Sequence, residues 1–182
     1  MNHKAAAWAL RALFFANGGV LSAWITHLPT IQERVNGSDG DIGLVLSMLS
    51  AGALIGIPVA GTLCNLLAPR WVLILSCLLV PLAALAPTLA TSLPVLIGAG
   101  FVYGLLSGAY VTSANIVGVG LERQTGRKVV SSLYAVKGVG AILGSLSTSL
   151  ALSLGTADTL HVGLYATAVI VVSLPFLQFI PH

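Results

Sequence analysis

Charge is scarce in this sequence. Only 7% of its 182 residues are charged, 57% are hydrophobic and the mean hydropathy is +0.99. An average soluble domain has about 25% charged residues, and a soluble protein must cover its surface with polar groups. Eight Lys and Arg with five Asp and Glu are too few for that. The composition therefore excludes a soluble enzyme, a nucleic-acid binder and a disordered tail, and it predicts that lipid surrounds most of the chain.

Cysteine is also scarce, since Cys64 and Cys77 are the only two and both lie in apolar runs. Two isolated thiols make neither a disulfide framework nor a metal site, and we interpret them as small packing residues. No cofactor or metal is predicted. Residues 1–4 and the alanine-rich run after them resemble a signal peptide, but Arg11 interrupts the run and no small-residue cleavage site follows. We therefore expect a retained first membrane span.

Long apolar runs dominate the rest, and about 20 such residues cross a membrane. Six spans are predicted, at about 7–28, 41–67, 71–91, 94–121, 129–154 and 160–180. Short connections hold nearly all the charge. Six Lys and Arg residues, at positions 4, 11, 70, 123, 127 and 128, fall on the side of the N-terminus, whereas only Arg34 falls on the other side. Cytoplasmic loops are enriched in Lys and Arg, so both termini are predicted to be cytoplasmic.

The two halves of the chain resemble each other. Residues 52–56 (GALIG) in span two resemble residues 140–144 (GAILG) in span five, and the pair Pro81/Pro87 matches Pro175/Pro181. Residues 22–24 loosely match residues 107–110. Three spans are an odd number of crossings, so the second copy would be inverted, as in many secondary transporters. The prediction is an all-α membrane protein with a 3+3 inverted repeat; chance similarity between small-residue segments is the alternative.

Lys137 is the sharpest functional signal. It lies nine residues into span five, about 13 Å from the span's end at 1.5 Å per residue, where a cation is costly unless solvated or paired. No Asp or Glu lies well inside any predicted span. A water-filled cavity, an anionic substrate or a carboxylate from another chain could satisfy it, and a rim position with the ammonium at a headgroup is the alternative. We favour the cavity.

Other polar side chains are predicted at similar depth. They are Asn17 in span one, Tyr103 and Tyr110 in span four, and Tyr134 in span five. Tyr134 shares a helix face with Lys137. We predict a polar path inside the bundle, although each tyrosine is equally compatible with an interfacial or packing role.

An enzyme is not expected. Ser107 and His161 raise the alternative of an intramembrane serine protease of the rhomboid kind, but its serine lies in a Gly-x-Ser-Gly turn, and position 105 is Leu105. His161 is also predicted at the outer rim of its span.

Residues 101–144 resemble a bacterial inner-membrane branch of the major facilitator superfamily. The similarity rests on Asn115, Glu122, Gly126-Arg127, Tyr134 and the glycines that follow in span five. The resemblance implies one six-span half of a twelve-span transporter in the bacterial inner membrane. Spans one, two, four and five would line the cavity, and Asn17, Tyr103, Tyr110, Tyr134 and Lys137 would contact a small solute, with Lys137 as counter-charge.

The sequence departs from the superfamily in the loop between spans two and three. That loop usually reads Gly-x3-Asp-Arg-x-Gly-Arg and is associated with gating. Here Gly61 stands at its first position and Asn65 at its acidic position, and a final arginine, Arg70, follows one residue past its last position. The branch also tends to have an acid where Val111 stands and a histidine where Tyr134 stands, so proton coupling through those groups is not expected.

One half encloses only one wall of a cavity. The transporter hypothesis therefore requires a second six-span half, from a separate chain or a second copy, besides the lipid bilayer and the solute. A non-transporting six-span protein, either a truncated remnant or a membrane scaffold, is the alternative function.

Overall fold

A computed structural model describes residues 3–179. These residues form eight α-helices and no strand. The helices are α1 (His3–Thr26), α2 (Leu28–Val35), α3 (Asp39–Leu67), α4 (Pro69–Ala83), α5 (Leu85–Thr88), α6 (Leu93–Thr125), α7 (Val130–Ser153) and α8 (Asp158–Leu177). Within this part of the chain six helical segments are long and apolar enough to cross a membrane, with α4 and α5 together forming the third. The predicted all-α, six-span architecture is confirmed.

The ends of the helices differ in places from the predicted spans. The first span ends at Thr26, two residues before its predicted limit, and Pro29 lies in the first turn of the short helix α2. A proline in the first turn of a helix removes no hydrogen bond, because the backbone N–H groups of that turn have no partner within the helix. Proline is therefore better suited to the start of a helix than to its end. Helix α6 continues to Thr125, four residues past the predicted limit, and Gly126 then caps it at a φ of 67°. Glycine adopts that left-handed conformation without steric cost.

Local sequence explains where α3 begins. The Ser38 hydroxyl accepts a hydrogen bond from the Asp41 backbone N–H at 3.3 Å, and the Asp41 carboxylate accepts one from the Ser38 N–H at 2.8 Å. This reciprocal arrangement satisfies two backbone donors at the start of the helix.

The bundle is built on two tight helix pairs, α1 with α7 and α3 with α6. Glycines make both contacts possible, because each lies where a Cβ atom would collide with the backbone of the facing helix. Those with the closest approach are Gly18, Gly140 and Gly144 in the first pair and Gly52, Gly56, Gly104 and Gly108 in the second. Lipid supplies no hydrophobic drive between helices, so close backbone packing of this kind holds the bundle together.

The two pairs are related residue by residue. Gly18 faces the Lys137 carbonyl oxygen in the first pair, and Gly104 faces the Leu49 carbonyl oxygen in the second. One turn further, the Ser22 hydroxyl donates to the Ala141 carbonyl at 2.6 Å.

The matching contact joins Gly108 to the Ala53 carbonyl. Positions in α1 and α6 thus correspond at a constant separation, and so do positions in α3 and α7. The inverted 3+3 repeat is confirmed. The predicted match of Pro87 with Pro181 involves a residue outside the described range.

Candidate functional site

Lys137 is the eighth residue of α7, about 11 Å along that helix at 1.5 Å per residue. Its backbone and the first part of its side chain pack on Gly18 of α1, and the side chain as a whole is partly buried. No carboxylate of residues 3–179 lies within ion-pair distance of its ammonium. The repeat-equivalent residue is Leu49, which makes the same backbone contact without a charge. Packing at this position therefore does not require a lysine.

Tyr134 lies on α7 beside Lys137 and reaches across to α6. The Asn115 side-chain amide donates to its hydroxyl at 2.8 Å, and 45% of the residue is exposed. The Tyr134 ring meets Phe14 edge-on at 5.6 Å between centroids, and Phe14 also lies 5.7 Å from Tyr110. A fully buried phenylalanine thus connects an exposed tyrosine to an enclosed one. The sequence placed Asn115 only within the family resemblance and did not indicate this bond.

Asn17 and Tyr110 are both buried, at 5% and 2% exposure, and both line a cavity of about 10 Å³ between α1, α4, α6 and α8. That is roughly the space one water molecule needs. The Asn17 Oδ1 atom and the Tyr110 hydroxyl have no hydrogen-bond partner among the described residues. The structure therefore brings these two predicted site residues together inside the bundle, where solvent does not reach them.

Tyr103 is fully buried against Trp24, with 5.3 Å between ring centroids. Its hydroxyl lies near Trp24 and Ser107, but neither contact has hydrogen-bond geometry. By the repeat correspondence Tyr103 matches Asn17, and Trp24 matches Tyr110. The centre of the α1–α6 interface thus holds two related pairs of buried polar side chains, away from exposed Tyr134.

The predicted gating-loop residues lie at the end of the bundle that carries the N-terminus. A Cβ atom at Gly61 would meet no neighbour, and Asn65 is exposed near the end of α3. The Arg70 guanidinium stacks on Trp71 at 5.6 Å from the ring centroid and lines a recess of about 130 Å³ beside the end of α6.

The opposite end holds an ion pair that sequence reasoning missed. An Arg34 Nη2 donates to the Asp158 carboxylate at 2.6 Å, while the other Nη donates to the Thr88 carbonyl at 2.5 Å. One arginine of α2 therefore ties together α5 and α8. The Arg34 side chain is 34% exposed and that of Asp158 only 5%.

Two histidines lie at the same end. His27 Nε2 and His161 Nδ1 are 3.1 Å apart and share a hydrogen bond, so the histidine of the protease alternative is engaged by another histidine. Burial lowers the pKa of His27 below the usual 6.5, and the nearby His161 lowers it further; Arg34 acts in the same direction and Asp158 in the opposite one. The sequence offered no signal for this pair, because its members are 134 positions apart.

An inverted pair of three-helix repeats, packed through glycines around a buried polar interface, defines a polytopic membrane protein of the transporter-like class. The sequence profile of the Major Facilitator Superfamily matches residues 7–181. The chain belongs to the major facilitator superfamily.

Individual relatives agree with this assignment. The chain is 34% identical over 134 residues to an uncharacterised transporter, y4wD, of Sinorhizobium fredii, with 72% of this chain and 35% of the relative covered. It is 31% identical over 149 residues to an uncharacterised MFS-type transporter of Yersinia pestis, covering 80% of this chain and 38% of the relative. It is 27% identical over 134 residues to the membrane protein MosC of Rhizobium meliloti, covering 74% and 33%.

Among solved structures, the nucleoside transporter NupG superposes on the whole chain with a TM-score of 0.73 at 17% identity. The match covers 45% of NupG, and the matches above cover 33–38% of each relative. This likeness shows the fold, and the chain spans less than half the length of the proteins it matches.

Proposed function

We propose that the chain forms one half of a secondary transporter that moves a small anionic solute by alternating access. The observation that carries the proposal is Lys137, a cation without a carboxylate partner at a position where the related repeat has Leu49. A charge within a membrane-spanning helix is costly and is retained where it serves a substrate or ion path. The fold does not need it, so a role in binding accounts for it.

Lys137 and Tyr134 are the proposed direct contacts for the solute, because Tyr134 is exposed and both lie on one face of α7. The ammonium would neutralise the solute and the phenol would donate or accept a hydrogen bond. Asn17, Tyr103 and Tyr110 remain candidates that reach the solute only when α1 and α6 separate, since all three are enclosed. Their unpartnered polar atoms supply a reason for such a movement.

A complete transport path requires a second set of six helices, from another chain or a second copy of this one. Two six-helix halves related by an axis along the membrane normal form the usual transporter of this fold. Helices α3 and α7 leave large apolar side chains exposed, including Leu54, Ile142 and Leu146, which are at least 60% exposed. A second half and lipid would together cover these faces.

The bacterial inner membrane is the proposed location, with both termini cytoplasmic. The excess of Lys and Arg at the N-terminal end supports this orientation. Gly61 and Asn65, near the end of α3, and Arg70, in the first turn of α4, would then lie at the cytoplasmic end of the bundle, where Arg70 is the remaining cation of the gating pattern. No catalytic role is proposed for any residue.

The test compares Lys137→Leu with Lys137→Arg in the purified, reconstituted chain. The probes are radiolabelled small carboxylates, with neutral polyols of similar size as the comparison set. We expect wild type and Lys137→Arg to bind or take up at least one carboxylate, and Lys137→Leu to lose this at least tenfold. The melting temperature without ligand should not fall in Lys137→Leu, because Leu49 already packs in this geometry.

Equal carboxylate binding by Lys137→Leu and wild type would remove Lys137 from the site. Preference for the polyols would contradict an anionic solute. Absence of both binding and uptake, alone and after co-expression with a second six-helix half, would favour the non-transporting alternative.

A further inference from the structure

A large recess lies at the N-terminal end of the bundle and is not part of the site proposed above. It has a volume of about 700 Å³ and opens between the first turns of α1 and the connection from α6 to α7. We call it the basic recess, and its polar and aromatic lining consists of His3, Lys4, Trp8, Arg11, Gln124, Thr125 and Arg127. Three of these seven side chains are Lys or Arg, in a sequence that has only eight such residues.

The cations of the basic recess have no carboxylate partner among residues 3–179. Glu122 is the one acidic residue close to it in sequence, and its Oε1 atom accepts hydrogen bonds from the Val129 and Val130 backbone N–H groups at 2.5 and 2.9 Å. The carboxylate is therefore engaged in holding the start of α7. The recess keeps a net positive charge that folding does not neutralise.

Arg11 is held in place on one side only. Its Nε atom donates to the Ser132 hydroxyl at 3.0 Å, and its guanidinium lies over the Trp8 ring at 5.1 Å from the centroid. These contacts orient the guanidinium and leave its two terminal amino groups for a ligand. Paired N–H donors of an arginine match the oxygens of a phosphate in geometry and charge.

The position of Trp8 indicates what kind of molecule carries the phosphate. It is 67% exposed, at the end of a membrane-spanning helix, which is the depth where tryptophan rings sit among lipid headgroups. Basic pockets between membrane helices on the cytoplasmic side hold the headgroups of anionic lipids. We propose that the basic recess binds the phosphodiester headgroup of an anionic phospholipid, with Arg11 as the oriented donor and Lys4 and Arg127 as additional charges.

The experiment uses the full chain purified in detergent and native mass spectrometry, with phosphatidylglycerol and phosphatidylcholine offered at equal concentration. The test variant is Lys4→Gln with Arg127→Gln. The matched control is Arg123→Gln with Lys128→Gln, which removes two cations from the same end that do not line the recess. Arg11 is left intact because its contacts with Ser132 and Trp8 also support the fold.

We expect wild type and the control pair to retain phosphatidylglycerol in preference to phosphatidylcholine. The test pair should retain it roughly 25-fold less, since each cation near a membrane surface contributes about a fivefold effect. Equal losses in both double variants would overturn the proposal in favour of diffuse attraction to the charged end. The alternative result is that millimolar inorganic phosphate displaces phosphatidylglycerol from wild type and binds wild type but not the test pair. That result would overturn the lipid assignment and indicate a soluble phosphate-bearing ligand. Melting temperatures without lipid check that both pairs are folded.

Discussion

The carbonyl oxygen of Lys137 lies so close to Gly18 that the glycine has no room for a Cβ atom. The proposed counter-charge therefore stands directly on the contact that holds α1 to α7. The related repeat reproduces the same contact between Leu49 and Gly104. The glycine–carbonyl contact occurs in both repeats, whereas the charged side chain at this position occurs in only one of them.

Replacing Gly18 with alanine should destabilise the bundle. The colliding atoms are backbone, so α1 and α7 must move apart, and overpacking of this kind costs about 1–3 kcal/mol. Gly138→Ala in α7 is the control, because a Cβ there meets nothing within 4 Å and alanine favours the helix. Thermal unfolding in detergent should give a lower melting temperature for Gly18→Ala and an unchanged or higher one for Gly138→Ala. Equal melting temperatures would show that the helices are less tightly packed than described.

The same substitution at two tyrosines should have different effects on stability. Tyr110→Phe removes a buried hydroxyl without a described partner, so stability should be unchanged or higher. Tyr134→Phe removes the acceptor of the Asn115 bond and should cost about 0.5–1 kcal/mol. Melting temperatures of the two variants, measured side by side, check this. A clear loss on Tyr110→Phe would indicate that its hydroxyl is hydrogen-bonded within the cavity shared with Asn17.

The six spans were predictable because a helix that crosses lipid needs a long run of apolar residues. The inverted repeat was predictable because its two copies have similar glycine patterns. Residues 52–56 and 140–144 match in sequence because both must let another helix approach closely. The exact alignment between the repeat-related helices α1 and α6 was not predictable. The sequence similarity aligned Ser22 with Ser107, whereas the contacts align it with Gly108. Only the packing shows that Ser22 contacts the facing carbonyl through its hydroxyl, whereas Gly108 in the other repeat contacts the equivalent carbonyl through its backbone.

The polar side chains were predictable as a group, but their partners were not. Sequence places Asn17, Tyr103 and Tyr134 at similar depth, yet it does not specify which way a side chain points. Two of the three proved to be enclosed and one exposed. Contacts such as Arg34 with Asp158 join residues 124 positions apart, and no local pattern encodes them.

Breaking the Arg34–Asp158 pair should cost more than removing it. Arg34→Gln leaves the Asp158 carboxylate, which is 5% exposed, without its cation, and unpaired buried charges cost several kcal/mol. The double variant Arg34→Gln with Asp158→Asn removes both charges and should recover part of that loss. Glu33→Gln, at an exposed neighbouring position, is the control. Melting temperatures that fall further in the double variant than in Arg34→Gln would contradict the description of Asp158 as a charge that depends on Arg34.

Acid should destabilise the end of the bundle that holds His27. Its pKa is lowered chiefly by burial and then by His161, so the unfolded chain takes up the proton near pH 6.5 while the folded chain does not. The unfolded state then binds more protons, and stability falls as the pH drops below about 6.5, by at most about 1.4 kcal/mol per unit. Above pH 7 both states are neutral at this residue and the contribution is complete.

The charged groups around His27 are Arg34 and Asp158, which the single variant Arg34→Gln and the double variant above alter. His27→Gln should flatten the decline in melting temperature between pH 7 and 5, whereas His3→Gln, at an exposed position, should leave it as in wild type. A decline of the same steepness in His27→Gln would assign the acid sensitivity to another group.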